Sequence, residues 1–127
     1  MRFEIMFDGL PPTLNHYYGH SLKHHRRFIT KEGLQFKARV RSAVKGHAKI
    51  ERHRCLKMEL LFASDKWFTK GKDVHPSRMA GDVDNRQKIL LDVLSEIYDF
   101  DDCQIFDLHA RKITDNCLYT KIILSTI

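Results

Sequence analysis

GDVDNRQKILLDVLSEI, residues 81–97, decides how this chain folds. At 100° per residue, with Asp84 set to 0°, Lys88 falls at about 40°, Asp92 at about 80° and Asn85 at about 100°. Val83, Leu90, Val93, Leu94 and Ile97 occupy the opposite arc, from about 180° to 280°. The stretch is therefore an amphipathic helix over roughly Val83–Ile97. A helix of that length can carry the chain back along a sheet, so that the next segment rejoins the sheet the previous strand left. Its polar arc sets Asp84 and Lys88 side by side at i, i+4, with Asp82 at or just before the N-terminus.

The segments on either side read as strands. Cys55–Ser64 alternates, with Leu56, Met58, Leu60 and Phe62 on one face. DKWFTKGKDVHPSRMAG, residues 65–81, is a long basic loop punctuated by Gly and Pro, and such loops are often functional. Downstream, Ile105–Ile113 and Leu118–Ile127 read as strands. The turn at Thr114–Asn116, with Asp115–Asn116 at its tip, predicts that they form a hairpin. At the other end, Phe3, Ile5 and Phe7 alternate with Arg2, Glu4 and Met6, and the prolines of GLPPTLN end that strand. His16–Thr30 is polar, basic and aromatic, and predicts a loose hairpin turning near Gly19–Ser21. Thr30 then suits the N-cap of a helix reaching about Ala48. Phe36, Val40 and Val44 supply its apolar stripe, and Lys37, Arg39, Arg41, Lys45 and Lys49 its other sides. The order β, basic segment, α, β, loop, α, β, β predicts an α+β fold over residues 1–127, with one small mixed sheet and two main helices.

A chain of 127 residues, 43% hydrophobic and 30% charged, suits a single ordinary globular domain. No apolar run approaches a membrane span, and MRFEIMFDGL is no signal peptide, so a membrane is not an expected partner and the cytoplasm is the expected location. Cys55, Cys103 and Cys117 form no CxxC pair, which argues against a disulfide framework or a zinc ribbon. The net charge of +6 is unevenly spread. Residues 1–81 hold seventeen Lys and Arg against seven Asp and Glu, a balance of +10, while residues 82–127 hold five against nine, a balance of −4. A basic surface attracts phosphate backbones. An acidic cluster would repel them unless it held a cation, and that conflict points to a metal-dependent enzyme acting on nucleic acid.

Taken singly, the acidic residues have simpler roles. Asp82 or Asp84 can cap a helix, Asp84 and Lys88 can pair along it, and Asp101–Asp102 can form a turn. Taken together they suggest a site. Three carboxylates brought to one point repel unless a cation binds them, and hard oxygen donors without His or Cys suit Mg²⁺ or Mn²⁺. The expectation is that strands beside the helix bring Asp101 or Asp102 back towards Asp82 and Asp84. A lysine one turn along can stabilise charge on a scissile phosphate.

Asp82-Val-Asp84-Asn85-x-x-Lys88, followed by Asp92-x-Leu94 and Asp101–Asp102, resembles the RusA-like Holliday junction resolvases. Pro11-Pro12-Thr-Leu-Asn15-His-Tyr17-Tyr18 is similar to that family's opening Pro-Pro-x-x-Asn-x-x-Tyr, and the resemblance covers nearly the whole chain. It implies a homodimeric, Mg²⁺-dependent endonuclease, with Mn²⁺ as a substitute, that nicks four-way DNA junctions symmetrically in recombination and repair. Such enzymes are often carried by phages. By matching positions it implies Asp82, Asp84 and one of Asp101 and Asp102 as metal ligands, Asp102 being the first choice, with Lys88 as the catalytic lysine. The segment after Asp92 is one residue shorter than the common form and has Tyr98–Asp99 where a glycine is usual.

Two basic segments are expected to contact phosphates: Lys23, Arg26 and Arg27, and then Lys66, Lys70, Lys72 and Arg78. Tyr17, Tyr18, Trp67 and Phe68 suit either stacking on unpaired bases or packing in a core. His24 and His25 are given no role. No lysine follows an acidic residue at i−2, which argues against a restriction-type nuclease. A basic DNA-binding module without cleavage is the non-enzymatic alternative; a nuclease acting on other branched DNA is the enzymatic one.

Overall fold

A computed structural model describes residues 1–44, 46 and 49–127. Four strands, β1 (Arg2–Asp8), β4 (Leu56–Ser64), β5 (Ile105–Thr114) and β6 (Tyr119–Thr126), form one sheet in the order β1–β6–β4–β5. β6 runs antiparallel to both β1 and β4, whereas β4 and β5 are parallel. The sheet is therefore mixed, as the α+β reading expects. Helices α2 (Lys31–Ala43) and α3 (Val83–Tyr98) are the two main helices, and α1 (Leu14–Tyr17) adds a single turn. A separate two-stranded hairpin joins β2 (Tyr18–Ser21) to β3 (Arg26–Ile29).

The core lies between the sheet and the helices. Ile5 and Phe7 of β1, Ile122 and Leu124 of β6, and Leu56, Met58, Leu60 and Phe62 of β4 meet Phe36 and Val40 of α2 and Ile89, Leu90, Val93 and Leu94 of α3. Each such side chain contributes about 1.5–3 kcal/mol by leaving water. The buried arc of α3 is the one that the period of its apolar residues predicts. Thr30 caps α2 through its side chain, accepting the Gly33 N–H at 3.0 Å. That helix stops at Ala43, short of the expected end, and Gly46 at φ +87° turns the chain away. Lys45 and Ala48, assigned to this helix from sequence, lie outside the described residues.

Two expectations need correction. β5 and β6 do not form a hairpin, because β4 lies between them. Their link passes over the end of β4, where the Asp115 N–H donates to the Ser64 carbonyl at 3.1 Å. Asp115–Asn116 marks where the chain reverses, not which strands pair. β4 takes the inner place because it is the more deeply buried strand, whereas β5 is half-exposed along its length. The β2–β3 hairpin exists, but it turns at residues 22–25, with His25 at φ 49°. Gly19 lies within the ladder instead, directly under Phe28; a Cβ there would come within 2.3 Å of that ring.

Candidate active site

The parallel β4–α3–β5 unit fixes where the acidic residues go. α3 begins near the C-terminal end of β4 and ends near the N-terminal end of β5, so its sixteen residues span about 24 Å. Asp82 and Asp84 sit at its start. Asp101 and Asp102 follow its end. The expected convergence of these carboxylates does not occur within one chain. Among the described residues, no three Asp, Glu, His or Cys side chains come close enough to hold a metal ion.

The start of α3 is built with care. Gly81, at φ +81°, turns the chain out of a 3-10 turn, Arg78–Ala80, into the helix. Arg86 donates to the carbonyls of Pro11 and Ala80, the latter at 2.6 Å. Lys112 donates to the Gly81 carbonyl at 2.7 Å. Both cations lie against the Trp67 indole, Lys112 Nζ at 4.7 Å and Arg86 Cζ at 5.9 Å from the ring centroid. Trp67 is itself tied through Nε1 to the Ile113 carbonyl at 2.8 Å. This arrangement fixes the two peptides before Asp82 and docks the buried Pro11–Pro12 against them. Burial holds the Arg86 guanidinium below its ordinary range, and its Nε has no partner among the described residues.

Against that frame, Asp82 occupies the N-cap position, yet its carboxylate makes no cap hydrogen bond. Asp84 is exposed and forms no ion pair with Lys88, nor does either form one elsewhere among the described residues. The cap role and the Asp84–Lys88 pair are thus unfilled, and two carboxylates stand free at one helix end, with Lys88 one turn along and within electrostatic reach of Asp92. The donors of one chain, Asp82 and Asp84, are hard oxygens of the kind Mg²⁺ takes, but no third carboxylate joins them among the described residues.

At the other end the two members of the acidic doublet differ. Asp101 is occupied: its carboxylate accepts the Cys103 N–H at 3.0 Å, while Gln104 Oε1 accepts the Asp101 N–H at 2.9 Å. This capping box holds the Asp101 carboxyl below its usual range. Asp102 makes no such bond and is exposed. Its charge reaches Asp92, whose carboxyl is pushed up by desolvation first and by Asp102 second, against the pull of Lys88 and Arg27. Asp99 is taken by Arg52 at 2.9 Å and stands apart from the site.

The basic residues fall on two projections. Lys23, Arg26 and Arg27 lie on the β2–β3 hairpin, where Arg27 covers the Tyr18 ring at 3.8 Å. Lys66, Lys70, Lys72 and Arg78 are exposed on the loop that leads into Asp82. Tyr17 and Trp67 are buried, which makes them packing residues; burial pushes the Tyr17 hydroxyl up to about 12. Phe68 is 52% exposed.

Arg86, Asp92 and Lys112 were not assigned to the site from sequence. The signal for Arg86 was its place at about 200° on the wheel, a charge on the apolar arc. Lys112 likewise falls in the core-facing phase of β5, opposite Phe62.

A family model described as endodeoxyribonuclease RusA matches residues 8–124. No curated protein matches the chain.

Proposed function

The chain belongs to the endodeoxyribonuclease RusA family, whose members resolve Holliday junctions, and from that membership we propose that two copies act together as a Mg²⁺-dependent enzyme making paired, symmetric nicks in four-way DNA. The observation that carries this reading is the free state of Asp82 and Asp84 at the start of α3, with Lys88 exposed one turn along. Side chains there serve neither as cap nor as ion pair, so their charge is available to a cation and a phosphate.

A second copy supplies what one chain lacks. Asp102 is free, but it follows the far end of a helix about 24 Å long. Asp102 of one copy completing the Asp82–Asp84 pair of the other gives three carboxylates per site and two sites per dimer, one for each strand to be cut. Asp101 serves as the cap that positions its neighbour. Mg²⁺, or Mn²⁺ in its place, supplies Lewis acidity and an activated water when bound. Lys88, one turn along α3 from Asp84, neutralises charge developing on the scissile phosphate. Lys23, Arg26 and Arg27 on the hairpin, and Lys66, Lys70, Lys72 and Arg78 on the loop, hold the DNA backbone. Among the described residues no helix is long and apolar enough to cross a membrane. We place the enzyme in the cytoplasm, with its three cysteines reduced.

Nicking of a labelled four-way junction with and without Mg²⁺ tests the reading. Asp82→Asn and Asp84→Asn should each abolish nicking and leave junction binding intact. Normal cutting by either variant would sink the assignment.

A further inference from the structure

The loop before α3 bounds a cleft that the chemistry above does not use. It measures about 550 Å³ and is lined by Leu10, Lys66, Trp67, Phe68, Lys70 and Arg86, among others. That volume lies within the range of small-ligand sites, about 300–1,000 Å³. Arg86 and Ala80 are shared between this cleft and the frame that holds Asp82, so cleft and site are continuous.

The cleft's wall is pre-formed. The Ser77 N–H donates to the Trp67 carbonyl at 2.9 Å and the Thr69 N–H to the His75 carbonyl at 2.8 Å. Phe68 pairs with Pro76 in an isolated antiparallel bridge. The segment is thus a short closed finger, pinned at its base by Trp67. Yet Phe68 keeps half its surface in water. Lys66 and Lys70, two residues to either side, are exposed and join no ion pair among the described residues. Trp67 cannot serve in the same way, because it is buried with Lys112 and Arg86 against its ring.

An exposed ring held rigidly between two free cations suits one ligand chemistry. An unpaired nucleotide offers a π face to stack and phosphates on both sides, whereas a duplex hides its faces in the stack. We infer that this cleft receives an unpaired nucleobase from the branch point of the DNA, stacked on Phe68, with the flanking phosphates on Lys66 and Lys70. The inference rests on the nuclease reading and deepens it. Phe68 becomes the residue that tells branched from continuous DNA.

Binding without divalent metal tests it, using an oligothymidylate, a four-way junction and a duplex against wild type, Phe68→Leu and Phe68→Tyr. Leucine keeps apolar bulk without the ring. Phe68→Leu should bind oligothymidylate and junction about tenfold more weakly, and Phe68→Tyr within about twofold of wild type. Duplex affinity and the salt slope should not move, since no charge is removed. Trp67, the single tryptophan, should lose emission when oligothymidylate enters beside it in wild type and Phe68→Tyr, but not in Phe68→Leu. Single-strand binding by Phe68→Leu as tight as wild type, or an equal loss on duplex, overturns the proposal. Junction cutting by wild type with Mg²⁺ is scored in parallel. Its failure counts against the nuclease reading alone and leaves the stacking result legible.

Discussion

At the scale of single residues, the site turns on which carboxylates are already employed. Asp101 is bound to the backbone of its own turn and Asp102 is not, although the two are adjacent and alike in sequence. Asp102→Asn should therefore reduce junction nicking by more than the roughly hundredfold that losing a mere supporting group costs. Asp101→Ser, which replaces one cap by another, should leave nicking near wild type in the same assay. Asp92 adds a pH signature. Its folded carboxyl titrates above its unfolded one, so its charged form opposes folding above that folded pKa and costs nothing below the unfolded value. Asp92→Asn should melt higher than wild type at about pH 7, and the difference should fade by about pH 3. Thermal melts across that range check it. The crowding of Asp82, Asp84 and Lys88 at the start of α3 was legible in the sequence because charge at a helix start is a local pattern. Asp101's capping role was not, because a hydrogen bond depends on the path of the following turn.

At the scale of elements, the helices and strands were legible nearly to the residue where apolar periodicity was strong. β4 and α3 lie where alternation and the 3.6-residue period put them. What failed was adjacency. The sequence near Asp115–Asn116 shows that the chain turns, but the neighbours of β5 and β6 depend on which strand is buried deepest, a property of the whole sheet. Gly33 tests how tightly the elements are fitted. In a helix interior Gly→Ala ordinarily adds up to about 1 kcal/mol. Here a Cβ would lie 2.8 Å from both Ile29 Cγ2 and the Tyr17 carbonyl oxygen. That carbonyl also accepts the Thr30 N–H at 2.9 Å, so it cannot easily withdraw. Overpacking costs about 1–3 kcal/mol and outweighs the propensity gain. Gly33→Ala should lower the urea midpoint without changing the slope.

At the scale of the whole molecule, a shared site makes a prediction that no single chain can satisfy. Asp82→Asn and Asp102→Asn chains, each inactive alone, should recover nicking when mixed and allowed to exchange. The mixed dimer pairs an intact Asp82 from one copy with an intact Asp102 from the other. Sites confined to one chain would recover nothing, and a gel of nicked junctions separates the two outcomes. The sheet order has a further consequence, in the timing of synthesis. β6 is made last of the strands yet lies between β1 and β4. Until residues 119–126 emerge from the ribosome, β1 has no neighbour and β4 lacks one of its two, so the platform under α3 is unfinished. The aspartates of α3 are translated earlier, over a β4–β5 pair that still lacks β6 and β1. A chain ordered in this way completes its sheet, and with it the seat of α3, only once β6 has slotted in between β1 and β4.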